Sequence, residues 1–250
     1  KSRLYRRYDQ AICYGQSSLD ELKGLGFPAE RAVVAQNTID TRRIFDRGEE
    51  IAARGRQLRA DAGLVDGKMI ICVGRMDPEK RHRDLLEAWP TLIKADPALS
   101  LVLVSGGPLL EEIRAQAKAT DPDRILVTGR VPEGDDYAWI AAADMAVYPG
   151  AVGLAINQTL AFGKPVLIAD EWGSDAEIVR HGQTGWRFPR GDIDAMAKQI
   201  LDVFAGDEQR AAVMDTAVTM MRDEVTIENM VKNIDTAVRR ALGDSRPDTE

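Results

Sequence analysis

The sequence predicts an open α/β sheet of parallel strands with helices on both faces. Short, nearly continuous apolar runs rich in β-branched residues recur from residue 69 to 169. A helical pattern separates each run from the next. Strands covered on both faces read this way, without the alternation of a half-exposed strand. The runs are MIICV (69–73), LVLVS (101–105), RILVT (124–128), DMAVY (144–148) and PVLIA (165–169). The intervening helices are expected at about Arg83 to Lys94, Leu110–Ala119, Asp135–Ala142, Leu154–Phe162 and Asp175–His181.

The first 45 residues hold two further strand candidates, QAICYG (10–15) and RAVVAQN (31–37). They flank a helical SSLDELKGLG, in which Gly24 and Gly26 provide a stop. Residues 43–66 are charged with sparse apolar positions, the pattern of a solvent-facing linking helix. Toward the end, Ile227, Met230, Val231, Ile234, Val238 and Leu242 mark one apolar helix face, and GDSRPDTE reads as a frayed tail.

Composition narrows the function. The 250 residues carry 33 Lys+Arg against 40 Asp+Glu, a net charge of −7, which disfavours nucleic acid as a partner. No run of about 18 apolar residues occurs, so no transmembrane helix is expected. The opening KSRLYRRYDQ is basic but lacks the apolar stretch of a signal peptide. Cys13 and Cys72 stand far apart and the histidines number two, His82 and His181. A disulfide framework, structural zinc and a His-rich metal site are therefore not expected, and a cytoplasmic setting fits.

Ligands of open α/β sheets bind beyond the carboxyl ends of the strands. Those ends read Gly74-Arg75, Gly106-Gly107, Gly129-Arg130, Pro149-Gly150 with Gly153, and Asp170-Glu171. Glycine permits close backbone approach, and four successive ends of this kind suggest a ligand lying along the sheet edge. In GRMDPEK, Arg75 leaves a strand end and Lys80 stands near the next helix start. Two cations beside a helix N-terminus suit a diphosphate, although a solvated loop with Arg81 and Arg83 nearby is the plainer alternative. The chain has no GxGxxG, and AFGKPV is no P-loop, so dehydrogenase and NTPase chemistry lose support. Asp121/Asp123 precedes a strand and Asp192/Asp194 opens a helix, so neither DxD pair is read as a metal site.

Taken together, GRMDPEKRH, VSGGP, VTGRV, YPGAVGLAINQTLAFGKPVLIAD and AEIVRHGQTGWRFPRGD resemble the donor-binding half of family-4 retaining glycosyltransferases, enzymes with two facing Rossmann-like domains (the B-type fold). The resemblance runs from about residue 68 to 205, and RAVVAQNTID resembles the segment before the family's linker. It implies a remnant of the N-terminal acceptor-binding domain in residues 1–42, an interdomain linker helix in 43–67, the Rossmann-like donor domain in 68–218, and a C-terminal helix and tail in 219–250. Family members are longer, and the N-terminal domain is the part expected to be missing. The C-terminal helix usually packs across that domain.

By the same resemblance, Arg75 and Lys80 hold the donor diphosphate and neutralise the leaving nucleotide. Gly74 lies at that turn, Gly153 and Leu154 offer backbone N–H groups to the distal phosphate, and Gly129, Arg130 and Val131 lie beside the base. The common pattern places two glutamates eight positions apart, one near the sugar and one on the ribose hydroxyls. Here Gly150 and Gln158 stand at those positions. Gln158 can still serve hydroxyls, whereas Gly150 offers only backbone.

Other polar residues have plainer readings. Glu177 matches the acidic residue of the family's EIV segment, but the capping box Ser174-Asp175-Ala176-Glu177 is the favoured reading. Asp170 and Glu171 could reach a sugar but are ordinary turn residues. His181 stands near a helix C-terminus, and His82 helps open its helix. Trp139 and Trp172 are core or rim. Lys1, Arg3, Arg6 and Arg7 form a solvated helix face, with contact to anionic lipid as the alternative.

The expected activity is retaining sugar transfer from a nucleoside-diphosphate sugar to a hydroxyl, with no cofactor or metal. The acceptor would be a carbohydrate or lipid-linked molecule of cell-surface polysaccharide or glycolipid synthesis, in the cytoplasm or at the inner membrane face. The fragment alone is expected to turn over weakly. The alternatives are a non-catalytic nucleotide-sugar-binding module and a sugar-nucleotide epimerase.

Overall fold

In the computed structural model, residues 7–170, 173 and 177–243 are described. Glu171, Trp172, the Ser174-Asp175-Ala176 part of the capping box, the start of the 175–181 helix, Lys1, Arg3, Arg6 and the tail beyond Gly243 lie outside them.

A small parallel pair, β1 (Ala11–Cys13) and β2 (Ala32–Val34), flanks helix α1 (Gln16–Gly24). Helix α2 (Arg42–Asp61) then leads to the main sheet. That sheet comprises β3 (Met69–Val73), β4 (Ser100–Val104), β5 (Ile125–Gly129), β6 (Met145–Tyr148), β7 (Val166–Ala169) and β8 (Trp186–Phe188). Its helices are α3 (His82–Ala95), α4 (Leu110–Thr120), α5 (Asp135–Ala142), α6 (Ala155–Ala161), α7 (Ile193–Ala205) and α8 (Asp207–Asp223). Helix α9 (Ile227–Ala241) follows.

The strand order is β5-β4-β3-β6-β7-β8, every pairing parallel. The chain winds outward from β3 to β5, returns through α5, and resumes at β6 on the other side of β3. Beyond the carboxyl ends of β3 and β6 the connections diverge and leave a crevice. Helices α3, α4 and α7 pack together on one face, and α5 with α2 and α6 on the other. The five runs read from sequence are strands β3 to β7, displaced by at most one residue at either end. Their residues are almost wholly buried, as continuous apolar runs require.

Three features depart from expectation. Helix α2 is not simply solvent-facing, because Ile44, Ile51 and Gly55 are buried and α2 packs along α5. Gly55 makes that contact possible, since a Cβ there would lie 2.2 Å from the Ala138 carbonyl. Strand β8 and helix α8 were not anticipated, whereas α7 begins at Asp192 as the sequence reading placed it. The apolar face of α9 rests on β1 and β2, yet Val231, Val238 and Leu242 remain exposed.

Residues 7–42 are tied to the rest of the chain by polar contacts. Asn157 Nδ2 donates to the Asn37 carbonyl, and Thr38 Oγ1 donates to the Val225 carbonyl. The Glu177 carboxylate accepts the Gln16 and Ser17 N–H groups, both at 2.7 Å. Glu177 thus caps α1 across the molecule. Helix α1 needs it, because its own N-cap position is Gly15, which has no side chain to offer.

Candidate active site

The site grows from the turn after β3. Asp77 accepts the Lys80 N–H and closes a 3₁₀ turn over Pro78–Lys80. The turn carries the Lys80 side chain back over Gly74, with Lys80 Cδ and Cε 3.9 Å from where a Gly74 Cβ would be. Lys80 Nζ then donates to the Val152 carbonyl at 2.5 Å. Below it, Ala151 N–H donates to the Glu79 carbonyl at 2.9 Å. The end of β3 and the loop after β6 are thus fastened together across the crevice.

Between them lies a cavity of about 350 Å³ lined by Arg75, Lys80, His82, Gly153, Leu154 and Gln158, among others. Arg75 has a side chain 69% exposed, with one loose ion pair to Asp77 at 4.0 Å. Its guanidinium is free to bind an anion in bidentate fashion. Lys80 spends one of three ammonium donors on Val152 and keeps two. The N–H groups of Gly153 and Leu154 have no backbone hydrogen bond among the described residues. Two cations and two open backbone donors therefore face one small space.

A second cleft, of about 1020 Å³, opens beyond the carboxyl ends of β4 and β5. Gly106, Gly107, Gly129, Arg130, Val131 and Glu133 help to line it. Gly107 permits β4 to approach the β3 turn, because a Cβ there would lie 2.4 Å from the Met76 carbonyl oxygen. Ser105 before it has φ 130°, a strained backbone for a non-glycine residue. Val73, Gly74, Arg75 and Asp136 line both spaces.

The structure thus brings together Gly74, Arg75, Lys80, Gly153, Leu154 and Gln158 at one cavity, and Gly129, Arg130 and Val131 at the adjoining one. Gly150 is the exception. It lines neither, lying buried under the 79–80 backbone, where a Cβ would be 2.0 Å from the Glu79 carbonyl oxygen. The glycine is there because no side chain fits against that backbone. Asp170 forms an ion pair with Arg187 at 2.5 Å, and His181 Nδ1 accepts the Arg187 N–H. Trp139 is a core residue. Asp121 binds the Trp89 indole N–H, and Asp192 caps α7. Among the described residues no cluster of His, Cys, Asp or Glu could hold a metal ion.

Sequence reasoning missed two polar side chains, Asp136 and His82. His82 is 2% exposed, and both ring nitrogens lack a hydrogen-bond partner. Burial is the main cause that pushes its pKa down to about 4, with Asp77 and Lys80 acting in opposite senses. The imidazole is neutral at pH 7. The unfolded chain takes up that proton near pH 6.5, so stability is lost as pH falls from 6.5 toward 4, by about 3 kcal/mol in all. Thermal melts at pH 7 and pH 4.5 should show this loss in the wild type and a smaller one in His82→Leu. Equal losses would contradict it. Burial likewise pushes the Cys72 thiol up to about 12, leaving it inert.

Residues 67–206 match the family model described as glycosyl transferases group 1. The chain belongs to this family. A GDP-mannose-dependent alpha-(1-6)-phosphatidylinositol monomannoside mannosyltransferase of Mycolicibacterium smegmatis is 32% identical over 176 residues, 66% of this chain and 45% of that protein. Alpha-monoglucosyldiacylglycerol synthase of Streptococcus pneumoniae is 26% identical, over 64% of this chain and 37% of that protein. The chain spans about half the length, or less, of these curated relatives. Among solved structures, Anabaena HepE in complex with UDP and glucose superposes with a TM-score of 0.77 at 19% identity, covering 95% of this chain and 65% of that one. A glycosyltransferase from Rickettsia africae gives 0.82 at 17%, covering 98% and 67%. The six-stranded parallel sheet of this chain is thus one Rossmann-like domain of the family's B-type fold.

Proposed function

We propose that the two joined cavities hold the nucleoside diphosphate of a sugar nucleotide. The whole protein would transfer the sugar, with retention, to a hydroxyl of a carbohydrate or lipid-linked acceptor. The observation that carries this reading is the meeting of Arg75, Lys80 and the open N–H groups of Gly153 and Leu154 in one 350 Å³ space. As the bond from the anomeric carbon to the diphosphate breaks, its electron pair stays on the diphosphate. Arg75 and Lys80 stabilise that growing charge from fixed positions, in the role a divalent metal could otherwise fill, so the scheme needs no cofactor beyond the donor. The acceptor oxygen bonds to the same carbon, and its proton leaves with the diphosphate.

The larger cleft takes the base. Glu133 there suits guanine, whose neighbouring N–H groups a carboxylate can accept, and the mycobacterial relative is named for a GDP-mannose donor. In this reading residues 1–42 belong to the acceptor-binding half, 43–67 link the halves, 68–218 bind the donor, and 219–250 return toward the first half. The lipids in the relatives' names, phosphatidylinositol monomannoside for one and monoglucosyldiacylglycerol for the other, favour glycolipid synthesis at the inner membrane face. No helix among the described residues is long and apolar enough to cross a membrane.

The buried Gly150 also leaves room for a binding module without catalysis, because it removes one carboxylate from the expected set. Incubating the protein carrying both halves with GDP-mannose or UDP-glucose and lipid acceptors separates the readings. Transfer predicts a glycosylated lipid by mass spectrometry. Bound donor without product would leave only the binding module, and donor conversion without an acceptor would indicate an epimerase.

A further inference from the structure

The chain passes between residues 7–42 and the main sheet through α2, whose helical run is broken at Arg47 (φ −122°, ψ 18°). It returns through residues 224–226 to α9, which rests on β1 and β2. The Thr38–Val225 hydrogen bond lies at these links. The Glu177 carboxylate, in the connection between β7 and β8, holds the Gln16 and Ser17 N–H groups far along the chain from both. The covalent links therefore do not by themselves fix α1 there. We infer that Glu177 is a positioning residue for transfer: by gripping α1 it sets the acceptor-binding half against the donor half at the spacing the reaction needs. This rests on the reading of the chain as parts of both halves of a glycosyltransferase.

Both sides of the contact are shaped for it. Each carboxylate oxygen takes one N–H at 2.7 Å, the short distance of a charge-assisted hydrogen bond, at a helix end that favours negative charge. Gly15 has φ −169°, an extended backbone that any residue adopts, so its glycine is not required by conformation. It is required by space, because a Cβ there would lie 2.7 and 2.8 Å from the two Glu177 oxygens. The same glycine leaves α1 without a cap of its own, and the carboxylate supplies one from the other part of the chain. Glu177 and Gly15 line neither donor cavity, so the carboxylate acts through α1 and not on the nucleotide. Transfer needs the acceptor oxygen within about 3–3.5 Å of the anomeric carbon, so a shift between the halves is felt in the chemical step more than in donor binding.

The contact can be broken from either side, by Glu177→Ala or by Gly15→Ala, whose methyl group displaces the carboxylate without removing it. Steady-state rates of the protein carrying both halves, with GDP-mannose or UDP-glucose and a lipid acceptor, test the assignment. Each variant should lose about ten- to a hundredfold in kcat, the cost of misplacing reacting groups by about an ångström. Calorimetry with GDP and with UDP should give affinities within about twofold of wild type. The double variant should be no slower than the slower single one, because both remove one interaction. Glu177→Gln keeps one accepting oxygen and should recover part of the rate; if Glu177→Ala does not fold, it and Gly15→Ala supply the comparison. A lowered melting temperature with wild-type kcat would reduce Glu177 to a helix cap and overturn the inference. So would nucleotide affinity lost in step with kcat, or a loss in Glu177→Ala that Gly15→Ala does not share. A wild type that forms no product with either donor would overturn the proposed transfer, and this assignment with it.

Discussion

Replacing Gly150 with alanine should lower stability by about 2–3 kcal/mol, because the new methyl group would overlap backbone on both sides of the Glu79–Lys80 peptide. For a chain of this size that is a fall in melting temperature of roughly 5–10 °C. The neighbouring atoms are backbone, so no side chain can swing aside to relieve the overlap. Relief requires the 78–80 turn and the loop after β6 to part, which weakens the Ala151–Glu79 and Lys80–Val152 hydrogen bonds. Gly150→Glu should be at least as damaging, so restoring the carboxylate of the common family pattern would break the site rather than improve it. Melting curves decide this. An unchanged melting temperature for Gly150→Ala would show that the two turns are not packed as described.

Loss of either cation should weaken diphosphate binding by about ten- to a hundredfold, the range expected when a charge-assisted hydrogen bond is removed. The two variants should differ in a second respect. Arg75 is exposed and loosely paired, so Arg75→Ala should leave stability within about 0.5 kcal/mol of wild type. Lys80 fastens the β6 loop, so Lys80→Ala should also lower the melting temperature. Calorimetry with GDP and thermal melts on the same samples measure both. Wild-type affinity in either variant would remove that residue from the site.

The strands of the main sheet were legible because burial on both faces leaves an unbroken apolar run, a signal local to five residues. Strand β8 was not, since Trp186–Phe188 alternates around Arg187 within a turn-rich stretch and is defined only by pairing with β7. Arg75 and Lys80 were singled out by their place between a strand end and a helix start, and the fold puts both on one cavity. The hold of the Glu177 carboxylate on the start of α1 was not legible, because it joins residues far apart in the sequence. Gly150 illustrates the same limit, because its constraint comes from Glu79, distant in sequence and opposite in space.

The most direct test of the nucleotide site is a crystal structure of the chain with GDP bound. The diphosphate should lie between Arg75 and Lys80, with phosphate oxygens about 2.7–3.2 Å from their nitrogens and the base in the cleft beyond β4 and β5. A nucleotide bound elsewhere, or a diphosphate out of reach of both cations, would contradict the account.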